Sequence, residues 1–128
     1  MQQNAGEIMK PESTGNFLDV ETREDVLIAR FAHEVNLFGH TAEAVAEQLR
    51  SLLSDTSRQR LLVDFGKVNS LSSFMLGQLM KLNKTAEAAG RRLTLFNLRP
   101  QVREILKVTG LNLILALYED ESDALRGS

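Results

Sequence analysis

The feature that most limits how this chain can fold is the alternation, between Val26 and Tyr118, of short apolar runs with longer amphipathic stretches. Leu61-Leu62-Val63-Asp64-Phe65 is almost continuously apolar, the pattern of a strand covered on both faces, and Gly66 ends or bends it. Upstream, Ala42, Val45, Ala46, Leu49, Leu52 and Leu53 recur at three- and four-residue spacing with Glu43, Glu47, Gln48 and Arg50 between them. That spacing predicts an amphipathic helix, with Thr41 as its cap. Downstream, Met75, Leu79, Leu82, Ala86 and Ala89 mark a second helical stripe, with Gln78, Lys81, Lys84 and Glu87 off it and Gly90 suited to the closing turn. Arg92 to Phe96 reads as a strand. Pro100 opens a helix carrying Val102, Ile105 and Leu106 as far as Gly110, and Leu111 to Tyr118 reads as the last strand. Glu119 to Leu125 adds a short acidic helical turn.

Strands and helices that alternate in this way imply right-handed crossovers and parallel pairing. At the front, Phe17 to Glu21 and Val26 to Phe31 flank the polar turn Thr22-Arg23-Glu24-Asp25, which predicts one antiparallel pair. The expected fold is therefore α/β, with a mixed, mainly parallel sheet of about five strands. A chain of 128 residues suits one domain and is too short for two independent cores. Residues 1–15 are polar, contain Pro11 and Gly15 and lack periodic apolar positions, so they read as a flexible tail ahead of a domain over 16–126.

Composition narrows the function. Hydrophobic residues at 43% and charged residues at 25% fit a globular protein, and a formal net charge of -2 gives no overall positive field for a phosphate backbone or an anionic bilayer. Nucleic acid and membrane are thus not expected partners. No apolar run reaches the roughly 18 residues of a bilayer span, and the opening MQQNAGEIMKPESTG lacks the apolar core of a signal peptide, so a cytoplasmic location is expected. Zero cysteines exclude disulfides and thiolate chemistry. Neither GxxxxGK(S/T) nor GxGxxG occurs, and no cofactor is expected. Arg91, Arg92, Arg99, Arg103 and Lys107 read as a solvated face rather than a nucleic-acid platform.

In α/β sheets functional groups collect where strand ends meet helix starts, which directs attention to the loop from Gly66 to Ser73. There, in VNSLSSFMLG, Ser72 and Ser73 stand directly before a helix-forming run. Three roles are open to them. A serine at a helix start accepts a backbone N–H as a cap. Hydrolytic chemistry needs a base, and His33 and His40 are the only histidines; GxSxG is absent, and the two histidines are a weak metal signal. A phosphoacceptor needs only exposure, because another enzyme supplies the chemistry, and a helix N-terminus tolerates the added negative charge. Phe74 is either core or part of an adjoining surface.

The order of elements and these residues together resemble the STAS family, named for sulphate transporters and anti-sigma factor antagonists. The likeness covers most of Phe17 to Leu125. It is carried by LLVDFGKV at Leu61 to Val68, the serine loop leading into LGQLMKL at Leu76 to Leu82, AAGRRLTLFNLRPQVREILKVTGL from Ala88 to Leu111, and the strand that follows. The resemblance implies a single STAS-like domain with helices packed largely on one face. In the bacterial antagonist branch the loop commonly reads Asp-Ser-(Ser/Thr)-Gly-Leu, and the hydroxyl residue before Gly-Leu is phosphorylated by a partner kinase that is also the anti-sigma factor. Here, without a gap, Ser72 falls at the aspartate, Ser73 at the first hydroxyl residue, Phe74 at the usual acceptor and Met75 at the glycine.

The function implied is a non-enzymatic interaction module that binds an anti-sigma factor or serine kinase, with ATP held by that partner, and so controls a transcription factor. Ser73, then Ser72, are the phosphoacceptor candidates, and Ser72, Ser73, Phe74 and Met75 form the expected partner surface. The alternatives are a STAS scaffold that is not phosphorylated and a small-ligand-binding STAS domain with a polar pocket near Ser72.

Overall fold

The computed structural model describes residues 17–54 and 59–127. The expected tail over 1–15 lies outside the described residues. The elements run β1 (Leu18–Arg23), β2 (Val26–Phe31), β3 (Val35–Leu37), α1 (Gly39–Leu53), β4 (Arg60–Asp64), β5 (Val68–Leu71), α2 (Ser73–Ala88), β6 (Arg92–Phe96), α3 (Pro100–Val108), β7 (Ala116–Tyr118) and α4 (Glu121–Gly127). A five-stranded sheet has the order β1-β2-β4-β6-β7, antiparallel between β1 and β2 and parallel elsewhere. This is the expected mixed α/β sheet. A second, two-stranded parallel sheet pairs β3 with β5.

Strand alternation divides the apolar residues between two faces. Leu27, Ala29, Phe31, Leu61, Val63, Leu93 and Leu95 enter the large core with the buried stripes of α1, α2 and α3. Phe31 and Phe65 meet edge to face within it, ring centroids 6.0 Å apart. On the opposite face Val26, Ile28, Leu62 and Phe96 are covered by Ala124 of α4. This last helix starts where the Asp120 carboxylate accepts from the Asp123 N–H at 2.9 Å. Glu121 then ties it to the outer strands through Arg30 at 3.0 Å and Arg23 at 3.3 Å.

Four local expectations change. Helix α1 begins at Gly39 rather than Thr41; its N-cap is Phe38, which provides no side-chain bond, and Gly39 adopts φ 53°. Gln78, expected off the α2 stripe, is buried because its Oε1 accepts from Arg50 Nη2 at 3.0 Å across the α1–α2 contact. Ala89, expected on that stripe, is the exposed C-cap residue. The segment read as one strand over Leu111–Tyr118 is split: Gly110 at φ 79° starts a 3₁₀ turn over Leu111–Leu113, and strand pairing begins only at Ala116.

Candidate functional site

The pairing of β3 with β5 builds the site. Leu37 and Leu71 are register partners, and the Ser72 N–H donates to the Leu37 carbonyl at 3.1 Å. The residues that follow, Phe38 and Ser72, are the N-caps of α1 and α2. Two parallel strands thus deliver two helices that start side by side, with the positive ends of both macrodipoles at the same edge. Neither helix carries an acidic residue in its first turn to offset that potential.

Each loop residue has its own place. Ser72 is extended, at φ -83° and ψ 167°, and its Oγ accepts from the Met75 N–H at 3.2 Å while its carbonyl accepts from the Leu76 N–H at 3.0 Å. Ser73, the first residue of α2, is exposed, and its hydroxyl has no partner among the described residues. Phe74 is 46% exposed, while Met75 is 0% exposed and belongs to the core. The expectation that Met75 shares the partner surface gives way here: the helical step from Phe74 turns its side chain inward, toward the stripe continued by Leu79 and Leu82. Sequence reasoning missed Phe38. At 48% exposed it is the second large apolar side chain at this edge, and only the β3–β5 pairing places it there.

Behind the serines, the β4–β5 loop is held by Arg99 at the start of α3. Its Nε donates to the Gly66 carbonyl at 2.7 Å, Nη1 donates to Asn69 Oδ1, and Nη2 donates to Glu34 Oε2 at 3.1 Å. One planar guanidinium thereby fixes the loops before β3 and before β5 relative to each other. The hydrogen bond from Arg99, aided by Asn69, holds the Glu34 carboxyl below its ordinary range. Alongside, Asp64 Oδ1 accepts from the Gly66 N–H at 2.8 Å and from Asn97 Nδ2 at 3.1 Å. Gly66 is required for this approach, since a Cβ there would sit 2.5 Å from Asn97 Nδ2.

Other candidates fall elsewhere. His33 and His40 are exposed, and neither bonds to a serine hydroxyl among the described residues; His40 Nδ1 lies 3.4 Å from Glu43. No group of three His, Cys, Asp or Glu among the described residues could hold a metal. A cleft of about 510 Å³, lined by residues such as Arg30, Asp64, Lys67 and Arg99, includes neither Ser72 nor Ser73 in its walls. The run of basic residues from Arg91 to Lys107 does not form one patch: Arg99 holds the loop just described, and Arg103 faces Glu119 at 3.5 Å. No helix among the described residues is long and apolar enough to cross a membrane.

The start of α2 thus presents the exposed Ser73 hydroxyl, backed by a clamped loop and flanked by the half-exposed rings of Phe74 and Phe38. The model of the STAS domain family matches residues 17–124. The chain belongs to the STAS domain family. The STAS domain is also similar to an anti-sigma F factor antagonist of Paenibacillus polymyxa, with 23% identity over 108 residues, 84% of this chain and 91% of that protein. Among solved structures, an anti-sigma-factor antagonist (STAS) domain protein from Planctomyces limnophilus superposes with a TM-score of 0.72 at 18% identity, covering 84% of this chain and 94% of that one. The Bacillus cell fate determinant SpoIIAA in its phosphorylated form superposes with a TM-score of 0.63 at 17% identity, covering 85% and 96%. At such identities the structural likeness establishes the STAS fold.

Proposed function

We propose that this STAS domain is an interaction module of the anti-sigma factor antagonist type, whose binding face is the edge where α1 and α2 begin. The observation that carries this reading is the exposed Ser73 hydroxyl at an uncovered helix start, on the same edge as the half-exposed rings of Phe74 and Phe38. The name of one relative, an anti-sigma F factor antagonist, supports an anti-sigma factor as the class of partner, and a structural neighbour is known in a phosphorylated form. That this partner is also a serine kinase holding the ATP is part of the proposal.

Ser73 is then the phosphoacceptor. Its Oγ bonds to the γ-phosphorus as the bond to the bridging oxygen of ADP breaks, and the hydroxyl proton passes to a base on the kinase. Ser72 is committed to its cap and holds the loop. Phosphate at the first helical position adds about -1.5 to -2 charges beside free N–H groups, so the fold accommodates it. The same charge beside Phe74 weakens an apolar contact with the partner, which frees that partner to act again.

A second reading rests on Phe74, which occupies the position where the antagonist branch usually has its acceptor. It makes the domain a scaffold that binds without being switched. The two part in one experiment: affinity capture from the source cell with and without ATP, followed by mass spectrometry of partner and bait. A retained kinase-class partner and phosphoserine at Ser73 only with ATP support the switch, whereas retention with an unmodified Ser73 leaves the scaffold. Absence of any regulatory partner in both conditions contradicts the module altogether.

A further inference from the structure

Helix α3 ends in an apolar patch that stands open to solvent. Val108, its last residue, is 74% exposed, and Leu113 and Ile114 in the turn that follows are 86% and 49% exposed. Apolar residues scattered singly on a surface are ordinary, whereas three on one compact turn form the kind of patch that marks a contact surface. The turn itself is fixed. The Gly110 N–H donates to the Lys107 carbonyl at 3.1 Å, the Leu113 N–H to the Gly110 carbonyl at 3.1 Å and the Ile114 N–H to the Leu111 carbonyl at 3.0 Å, while the Thr109 hydroxyl donates to the Ile105 carbonyl at 2.9 Å. Leu111 and Leu115, on either side of the exposed pair, are buried in the main core. The exposed side chains thus project from an anchored segment, and covering them orders little that is not already ordered.

The patch is apart from the serine edge. Helix α2 ends just before β6 begins and the turn ends just before β7 begins, and these two strands are parallel, so the patch lies at the end of the molecule away from Ser73. An interface that holds in solution takes about 800 Å² from each partner, which three aliphatic side chains do not reach. The contact therefore has to take in the exposed residues beside the patch, which are Glu104 and Lys107 on α3 and Asn112 in the turn. The two charges decide the occupant. Glu104 and Lys107 stand three positions apart on α3, and neither pairs with a charge among the described residues. A partner surface of one sign is drawn to one of them and repelled by the other. A second copy related by a two-fold axis presents the same acid and base in reverse order, which makes the patch self-complementary.

We propose that this patch is where two copies of the chain meet across a two-fold axis, with Leu113 in the buried centre and Glu104 of each copy beside Lys107 of the other. The pairing is weak and reversible, as suits a contact of modest area, and it leaves the edge at Phe38, Ser73 and Phe74 open on both copies.

The test is sedimentation equilibrium of the full chain over a range of protein concentrations, with thermal unfolding of each variant in parallel. A monomer–dimer equilibrium is expected, with a dissociation constant between the micromolar and millimolar ranges. Leu113→Asp changes a side chain that is 86% exposed, so it should keep the melting temperature and weaken the dimer at least about tenfold. Glu104→Lys and Lys107→Glu should each weaken the dimer at least about threefold, and the two together should restore it. A wild-type chain that stays monomeric at every concentration would overturn the proposal. So would a dimer of unchanged affinity in Leu113→Asp, or a double charge variant as weak as the single ones. A fall in melting temperature in Leu113→Asp without a change of oligomeric state would overturn it in favour of a segment of the same chain lying over the patch.

Discussion

The Ser72 N–H donates to the Leu37 carbonyl at 3.1 Å, and through this bond the last residue of β3 sets where α2 begins. The bond lies at the seam between two strand-to-helix turns, so the position of Ser73 depends on a residue far from it in sequence. It also makes Phe38, next after Leu37, a neighbour of the serine loop.

The two serines should separate in stability. Ser72→Ala removes the acceptor of the Met75 N–H and should cost about 1 kcal/mol in chemical denaturation. Ser73→Ala should stay within about 0.5 kcal/mol of wild type, because its exposed hydroxyl has no partner among the described residues. Equal costs at both positions would contradict the assignment of the cap.

The three apolar residues at this edge should also divide. Met75→Ala truncates a fully buried side chain and should cost about 2 to 5 kcal/mol of folding stability. Phe38→Ala and Phe74→Ala remove half-exposed rings and should cost far less in thermal and chemical unfolding. In calorimetry with a purified partner each should instead lose more than about 1 kcal/mol of binding.

The Arg99 clamp carries a pH signature. The folded state lowers the Glu34 pKa, so the contribution of this contact is present above the unfolded value of about 4.3 and is lost as pH falls through the lower folded value. An NMR titration should find Glu34 protonating below the ordinary glutamate range in the wild type. In Arg99→Gln the midpoint should move back up toward that range, and the amides of Gly66 and Asn69 should exchange faster with solvent. An unchanged midpoint would mean that Arg99 does not hold the loop.

What the sequence allowed one to read follows from how local each determinant is. The strands of the main sheet were legible because runs such as Leu61 to Phe65 carry their apolar pattern within five residues, and Pro100 does open α3. Val35–Leu37 was not, since three residues with an exposed Asn36 hold no period, and without β3 neither Phe38 nor the true start of α1 was in view. Gln78 looked like a surface residue because the Arg50 that satisfies it lies 28 positions away. The loop clamp escaped for the same reason, with Glu34 and Asn69 standing 65 and 30 positions from Arg99. A serine cap at this helix start was readable because capping chemistry is local, while the choice of Ser72 over Ser73 came only with the backbone geometry. Leu113 and Ile114 misled because strand-like residues there follow a left-handed Gly110 and remain exposed.

The central claim, that the start of α2 is a partner surface governed by charge at Ser73, is tested most directly with Ser73→Asp. Calorimetry should be run against the purified kinase-class partner, with unfolding followed in parallel. Negative charge at the first turn of a helix without acidic residues there should leave stability unchanged or raise it by about 0.3 to 1 kcal/mol. The account predicts that fold together with at least about a tenfold loss of affinity. Wild-type affinity in a folded Ser73→Asp variant would contradict it.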